Sequence, residues 1–214
     1  MNTATRFASD VAFTPTVKSI QTRKGSRRAY ARMETGDGWG TTITPDLAAF
    51  IGAQTSVFLG TANAAGQPYI QHRGGPPGFL HVIDDITIAF ADFRGNRQFI
   101  TQGNLAENSK AHLFLIDYAH RRRVKIWGEA RVVENDAALL ARLMPPDYQS
   151  RGEQVILLHV QAWDANCPQH IPQRHEAADV ERLLEQRDQR IAELETALAN
   201  LQNGNSGNLK GPKQ

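Results

Sequence analysis

The chain has a single cysteine, Cys167, among 214 residues. An intrachain disulfide is excluded, as is a four-cysteine metal site, and a reducing compartment is the expected setting. An excess of charge of one sign is also lacking. The 24 basic and 22 acidic side chains leave a net +2, too weak a field to call for a nucleic-acid or membrane partner. An anionic ligand would need a local cluster. Long apolar runs are absent: residues 111–116 and 155–160 are the longest candidates, far short of the ~20 residues of a membrane helix. Residues 1–10 carry no apolar stretch of the secretory type. The expectation is a soluble, cytoplasmic protein.

Hydrolytic and nucleotide signatures are missing too. There is no nucleophile-elbow serine, no HExxH pair and no glycine-rich phosphate loop with its lysine. Gly60, Gly66, Gly74, Gly75 and Gly78 do not have the spacing of a dinucleotide fingerprint. The seven histidines are scattered, and no metal site is expected from them.

What is present is mostly strand. Residues 56–62 form a β-type run that ends in the turn cluster Asn63-Ala64-Ala65-Gly66-Gln67, and 68–73 read as the returning strand. Residues 80–83 and 87–90 flank a second tight turn at Asp84-Asp85. Strands are expected over 111–117, over 123–133, where polar and apolar residues alternate, and over 154–160. Helices are expected over 96–108 and 137–143. Another should start at Thr44, an N-cap followed by Pro45 at the first helical position. Six or so strands with short turns indicate a mainly β protein, a small barrel with flanking helices.

The two ends differ from this middle. Residues 1–45, rich in Thr, Arg and Gly, form an N-terminal arm that is either solvated or packed on the barrel; 46–174 are the barrel domain. In 175–202, Val180, Leu184, Arg187, Ile191, Leu194, Leu198 and Leu201 alternate spacings of four and three. That is a heptad seam interrupted by one arginine. It suits a coiled coil, or a helix lying on the barrel by its apolar stripe. The helix is expected to stop at Asn203-Gly204, with 203–214 a disordered tail.

The chemistry-bearing feature is a concentration of cationic and amide side chains. Arg94, Asn96, Arg97 and Gln98 share one short loop after strand 87–90. Arg73 lies on an earlier strand and Arg121, Arg122 and Arg123 open a later one. Each arginine alone reads as solvated surface. Together they could grip phosphate, because guanidinium groups bind it bidentately and helix-start amides add to the grip.

At these residues the sequence resembles the pyridoxamine 5'-phosphate oxidase-like, FMN-binding split-barrel family, most closely its flavin-nucleotide-binding branch. The resemblance runs from about residue 13 to 174 and is carried by 66–78, 90–98, 121–128 and 163–170. It implies a split β-barrel that binds FMN. The family's Gly-Ser-Arg-Lys phosphate turn becomes Gly95-Asn96-Arg97-Gln98 here, so Gln98 replaces a lysine, and Arg94 is a candidate to restore the charge. The strand beside the flavin ring maps on Gln71, His72, Arg73 and Gly74. Ala91 and Asp92 lie on the strand that leads into the phosphate turn, and Arg123 takes the place of a family glutamine. The resemblance also implies a homodimer with the flavin at the subunit interface, and an oxidoreductase acting on a small molecule with NADH or NADPH as candidate donor. The Arg-Leu-x-Pro type segment that grips pyridoxal phosphate in true oxidases is missing, so that substrate does not carry over. No catalytic residue is nominated; Arg73, His72 and Cys167 are the groups that could reach a ring or substrate. The alternatives are a flavin carrier or sensor without turnover, and a split barrel that takes haem or a deazaflavin.

Overall fold

The computed structural model describes residues 7–35, 38–166 and 168–206, with only the backbone given at Asn166 and at 203–206. Cys167 and the tail from 207 lie outside the described residues. Seven strands form one antiparallel sheet: β1 (Ser56–Ala62), β2 (Pro68–Gly74), β3 (His81–Asp84), β4 (Thr87–Phe93), β5 (Lys110–Asp117), β6 (Arg122–Val133) and β7 (Gly152–Asn166). Their order across the sheet is β2-β1-β5-β6-β7-β4-β3.

The alternation read from the sequence over 123–133 is an alternation of burial, and β1 and β5 share that burial pattern. In β1 the side chains of Val57, Leu59 and Thr61 are buried, in β5 those of Ala111, Leu113 and Leu115, and in β6 those of Val124, Ile126 and Ala130. These inward faces share one core with Ile88 and Phe90 of β4 and Ile156 and Leu158 of β7. The sheet therefore has to curl, and one contact proves it. β2 and β4 are five strands apart in the hydrogen-bonded order, about 24 Å in a flat sheet at ~4.8 Å per strand. Yet Arg73 Nη1 on β2 lies 2.9 Å from Asp92 Oδ1 on β4. The fold is mainly β, a barrel left split along that line.

Helices cover what the strands leave open. α3 (Pro45–Gly52) starts as expected, with Thr44 Oγ1 accepting from Leu47 N at 3.3 Å and Pro45 at the first position. α4 (Ile100–Glu107) is shorter than the expected helix over 96–108: Arg97 and Phe99 adopt φ of 59° and 55°, which no helix tolerates, so 94–99 form a loop. α5 (Ala137–Leu143) lies on the outer face of β4 and β7, where Leu143 joins Ala89, Ala91 and Val155 in a second, small core. β4 is accordingly buried on both faces. β7 runs to Asn166, well beyond the expected 160.

The arm is helical and docked. After a 3-10 turn at Ala8–Val11 come α1 (Pro15–Lys24) and α2 (Arg27–Glu34), with Gly25 at φ 83° as the left-handed cap between them. Their strongly polar composition, with only a short apolar face such as Tyr30 and Met33 on α2, hid these helices from the sequence. They are tied by charge: Glu34, 3% exposed, pairs with Lys18 at 3.2 Å and with Arg27, and Lys18 pairs with Asp10 at 2.6 Å. The arm reaches the sheet through Trp39, stacked on Trp127 of β6 with centroids 4.7 Å apart. Gly40 exchanges backbone hydrogen bonds with Trp163 of β7 at 3.1 and 2.8 Å, where a Cβ would stand 2.3 Å from the indole.

This arrangement is acid-sensitive in a predictable sense. Burial by itself would raise the Glu34 pKa, but hydrogen bonds from Arg27 and Lys18 outweigh it and hold the carboxyl below its ordinary value. A folded-state pKa below the unfolded one stabilises the structure above the ordinary carboxylate range, and that stabilisation is lost as pH falls through the folded value. Acidification below the ordinary carboxylate range should therefore undock the arm, read as a red shift of tryptophan emission. Glu34→Gln should show the undocked spectrum, or a stability loss of roughly 1–3 kcal/mol, already at pH 7.

By itself, the C-terminal unit from Pro172 contains α6 (Ala177–Ser206), a single helix of 30 residues. It continues through Asn203, Gly204 and Asn205, where the sequence suggested a stop; one glycine costs only ~1 kcal/mol in a helix. No helix among the described residues is long and apolar enough to cross a membrane.

Candidate functional site

One pocket opens at the split. Tyr69, Gln71 and Arg73, alternate residues of β2, form one wall. The end of β4 (Asp92, Phe93) and the loop Gly95, Asn96, Arg97, Gln98 and Phe99 form the second. The first turn of α4 (Ile100, Thr101, Gln102) and the start of β7 (Glu153, Gln154) complete it. A second hollow shares Arg97, Phe99, Gln102, Glu153 and Gln154 and extends it toward Glu134 and Arg151.

Local geometry fixes each group. Period-two pleating aims Gln71 and Arg73 to the same side of β2. Thr101 Oγ1 donates to Gln71 Oε1 at 3.0 Å and locks that amide against α4. Gln154 Nε2 donates to Asp92 Oδ2 at 2.9 Å, while Arg73 Nη1 approaches the other carboxylate oxygen. The Arg73 Nε is buried with no hydrogen-bond partner, a donor still free for an acceptor. In the loop, Gln98 N donates to Asn96 Oδ1 at 3.3 Å, Arg97 rests 5.3 Å above the Phe99 ring, and Arg94 N donates to Arg151 O at 2.8 Å. Nothing lies within 4 Å of a Cβ built on Gly95, so that glycine leaves its part of the pocket open.

The electrostatics are those of an anion site with its own counter-charge. α4 begins at Phe99 without a side-chain cap, so the amides of its first turn and the positive end of its dipole face the pocket unopposed by a capping oxygen. Arg97 Nε and Arg94 Nε lie 3.5 and 3.6 Å from Glu153 Oε1, beyond hydrogen-bond length. Both guanidinium groups are thus held near the pocket by one carboxylate that a phosphate could displace.

Six residues expected from the sequence meet here: Gln71, Arg73, Asp92, Asn96, Arg97 and Gln98. Four others do not line this pocket. His72 points to the opposite face of β2, bonded to Ser56 Oγ at 2.8 Å and edge-on to Phe58. Gly74 packs against the His72 ring. The Ala91 methyl is buried in the small core under α5. Arg123, near the start of β6, pairs in register with Ile116 and Asn166. Cys167 lies outside the described residues. The sequence reading gave no role to Tyr69, Phe99, Ile100, Thr101, Gln102, Glu153 and Gln154, and named Phe93 only as part of the stretch 90–98. Tyr69 was available from its i−2 relation to Gln71. Glu153 was not, because only closure of the barrel brings the start of β7 to the loop. Among the described residues no group of three or more His, Cys, Asp or Glu is placed to hold a metal ion.

A closed antiparallel sheet with a polar, helix-headed pocket on its open seam defines a split β-barrel with an anion-suited site. The pyridoxamine 5'-phosphate oxidase family pattern matches residues 43–174, and the chain belongs to that family. No curated protein sequence matches it. Among solved structures it is similar to HupZ of Group A Streptococcus, at 21% identity over 58% of this chain and 98% of that one with a TM-score of 0.46. It is also similar to an FMN-binding protein of Syntrophomonas wolfei (11% identity, 71% and 97% covered, TM-score 0.44). A third is HutZ, the haem storage protein of Vibrio cholerae (16% identity, 55% and 89% covered, TM-score 0.40).

Proposed function

We propose that the chain binds FMN, with the phosphate in the pocket at the head of α4 and the ring along β2, and that it acts as an FMN-dependent oxidoreductase on a small molecule. The observation that carries the reading is the convergence of Asn96, Arg97 and Gln98 with the uncapped first turn of α4. The buried, unpartnered Arg73 Nε supports it on the ring side: a cation donor there suits the electron-rich edge of a flavin. The residues present fit the group. Arg97 and the α4 amides would hold the phosphate, Gln71 and Arg73 would orient the ring, and Phe99 would shield the rim from water. FMN, when bound, supplies hydride or single-electron chemistry that no side chain here supplies. No histidine, cysteine or methionine lines the pocket among the described residues, so haem would lack its usual axial ligand there. A homodimer with the flavin between subunits belongs to the same proposal.

The direct measurement is the absorbance of the purified protein. Bands near ~370 and ~450 nm support flavin; a Soret band or a colourless protein that takes up no added FMN rejects the reading. Reduction by NADH or NADPH in stopped flow then separates an enzyme from a carrier. Glu153 gives a second expectation. Because its carboxylate competes with phosphate for Arg94 and Arg97, Glu153→Gln should tighten FMN about three- to tenfold, the effect of removing one partly exposed charge near the anion. Fluorescence titration checks this.

A further inference from the structure

α6 has a face that the flavin reading does not use. Val180, Leu184, Ile191, Leu194, Leu198 and Leu201 are all between 41% and 70% exposed along it. With Leu184, Ile191 and Leu198 at a and Val180, Arg187, Leu194 and Leu201 at d, the e positions are Glu181, Asp188, Glu195 and Gln202. The g position of the central heptad is Arg190.

We infer that α6 pairs with α6 of a second copy of this chain as a parallel, in-register, two-stranded coiled coil. The flanking charges select the orientation. In a parallel pair each g residue meets the e residue five positions on in the other helix. That sets Arg190 against Glu195 of the partner subunit, twice by symmetry. An antiparallel pair sets e beside e, and Glu181, Asp188 and Glu195 would face one another as like charges. Arg187, at d, meets its own copy in parallel register, with Asp188 of the partner subunit beside each guanidinium as counter-charge, whereas an antiparallel pair, whose layers set a against d, buries it against Ile191 or Leu198. A lone polar core position fixes register at some cost in stability. Arg190 Nη1 bonds Glu193 Oε2 at 2.8 Å within its own helix, an exposed contact that is readily exchanged. The inference does not depend on what the barrel pocket binds.

Disulfide trapping in the full-length chain tests it. In a Cys167→Ser background, Leu194→Cys and Leu201→Cys should each give cross-linked dimers at least fivefold faster than Thr196→Cys on the outer face, because d positions meet their own copies only in parallel register. Arg190→Glu should weaken pairing about tenfold, and adding Glu195→Arg should restore it. Equal cross-linking at all three positions, or none at 194 and 201, overturns the proposal, as a helix docked on its own barrel or an antiparallel pair would produce. Failure of the charge swap to rescue Arg190→Glu overturns the assigned orientation. Neither readout requires a flavin, so a colourless protein leaves this result intact.

Discussion

Arg97→Ala is expected to raise the dissociation constant for FMN about ten- to a hundredfold. The variant should leave the purification column largely without chromophore and with an unchanged melting temperature. A charge-assisted bidentate contact to phosphate contributes roughly 1.5–3 kcal/mol, and 1.4 kcal/mol is one decade of affinity. The position is informative for a second reason. Arg97 has φ of 59°, where alanine is strained as much as arginine, so the substitution removes the side chain without changing the backbone cost. Arg97→Lys should recover part of the affinity, since an ammonium keeps the charge but loses the fork. Full FMN occupancy of Arg97→Ala at micromolar protein would reject the phosphate assignment.

Gly128→Ala should be the most damaging single methyl in the barrel. A Cβ at Gly128 would lie 2.2 Å from the carbonyl oxygen of His159, and that oxygen belongs to the backbone of the neighbouring strand. The position is the register shift of the β6–β7 pair: Trp127 faces Ala162 while Gly128 faces Val160, with Gln161 the extra residue. Relief would require sliding the two longest strands apart. A loss of about 2–4 kcal/mol is expected, or roughly 5–15 °C in Tm. Flavin affinity should fall with it, because the same bulge sets the register of the strand that brings Gln154 to Asp92 at the pocket. Gly95→Ala is the control, since its Cβ meets nothing within 4 Å; it should melt normally.

β6 was legible because burial on one face leaves a period of two in its sequence, whereas β1 and β5, with Phe58 and Phe114 on the less buried face, read as strands from short apolar runs between turns. The cap at Thr44 and Pro45 is equally local, and so is the seam of α6. Part of the pocket was readable for the same reason: Gly95 to Gln98 are neighbours in the chain, and the family resemblance gave their roles as an expectation. Phe99, Thr101 and Gln102 follow Gln98 directly and were hidden only because that stretch read as helix, whereas the pairings across the seam depend on distance in sequence. Nothing near Arg73 announces Asp92, and nothing near Arg97 announces Glu153, because both pairs exist only once the sheet has curled. The arm helices escaped for another reason. Charge pairs among Asp10, Lys18, Arg27 and Glu34 hold them, and such pairs leave no hydrophobic period to read. Ala91 and His72 show the limit of carrying whole segments over: both lie within matched stretches, yet pleating turns their side chains away from the pocket.

The side-chain clasp between Arg73 and Asp92 has a consequence for the order in which the molecule opens. Every other neighbouring strand pair is closed by a backbone ladder, whereas among the described residues this seam is clasped by side chains, through a largely buried ion pair whose desolvation offsets much of its attraction. Amide exchange should begin there, with β2 and the loop after β4 losing protection long before β5, β6 and β7. A ligand held at once by Gln71 and Arg73 on one lip and Arg97 on the other would act as a bolt across the slit. Its arrival would register first as slowed exchange along β2, at amides remote from the phosphate.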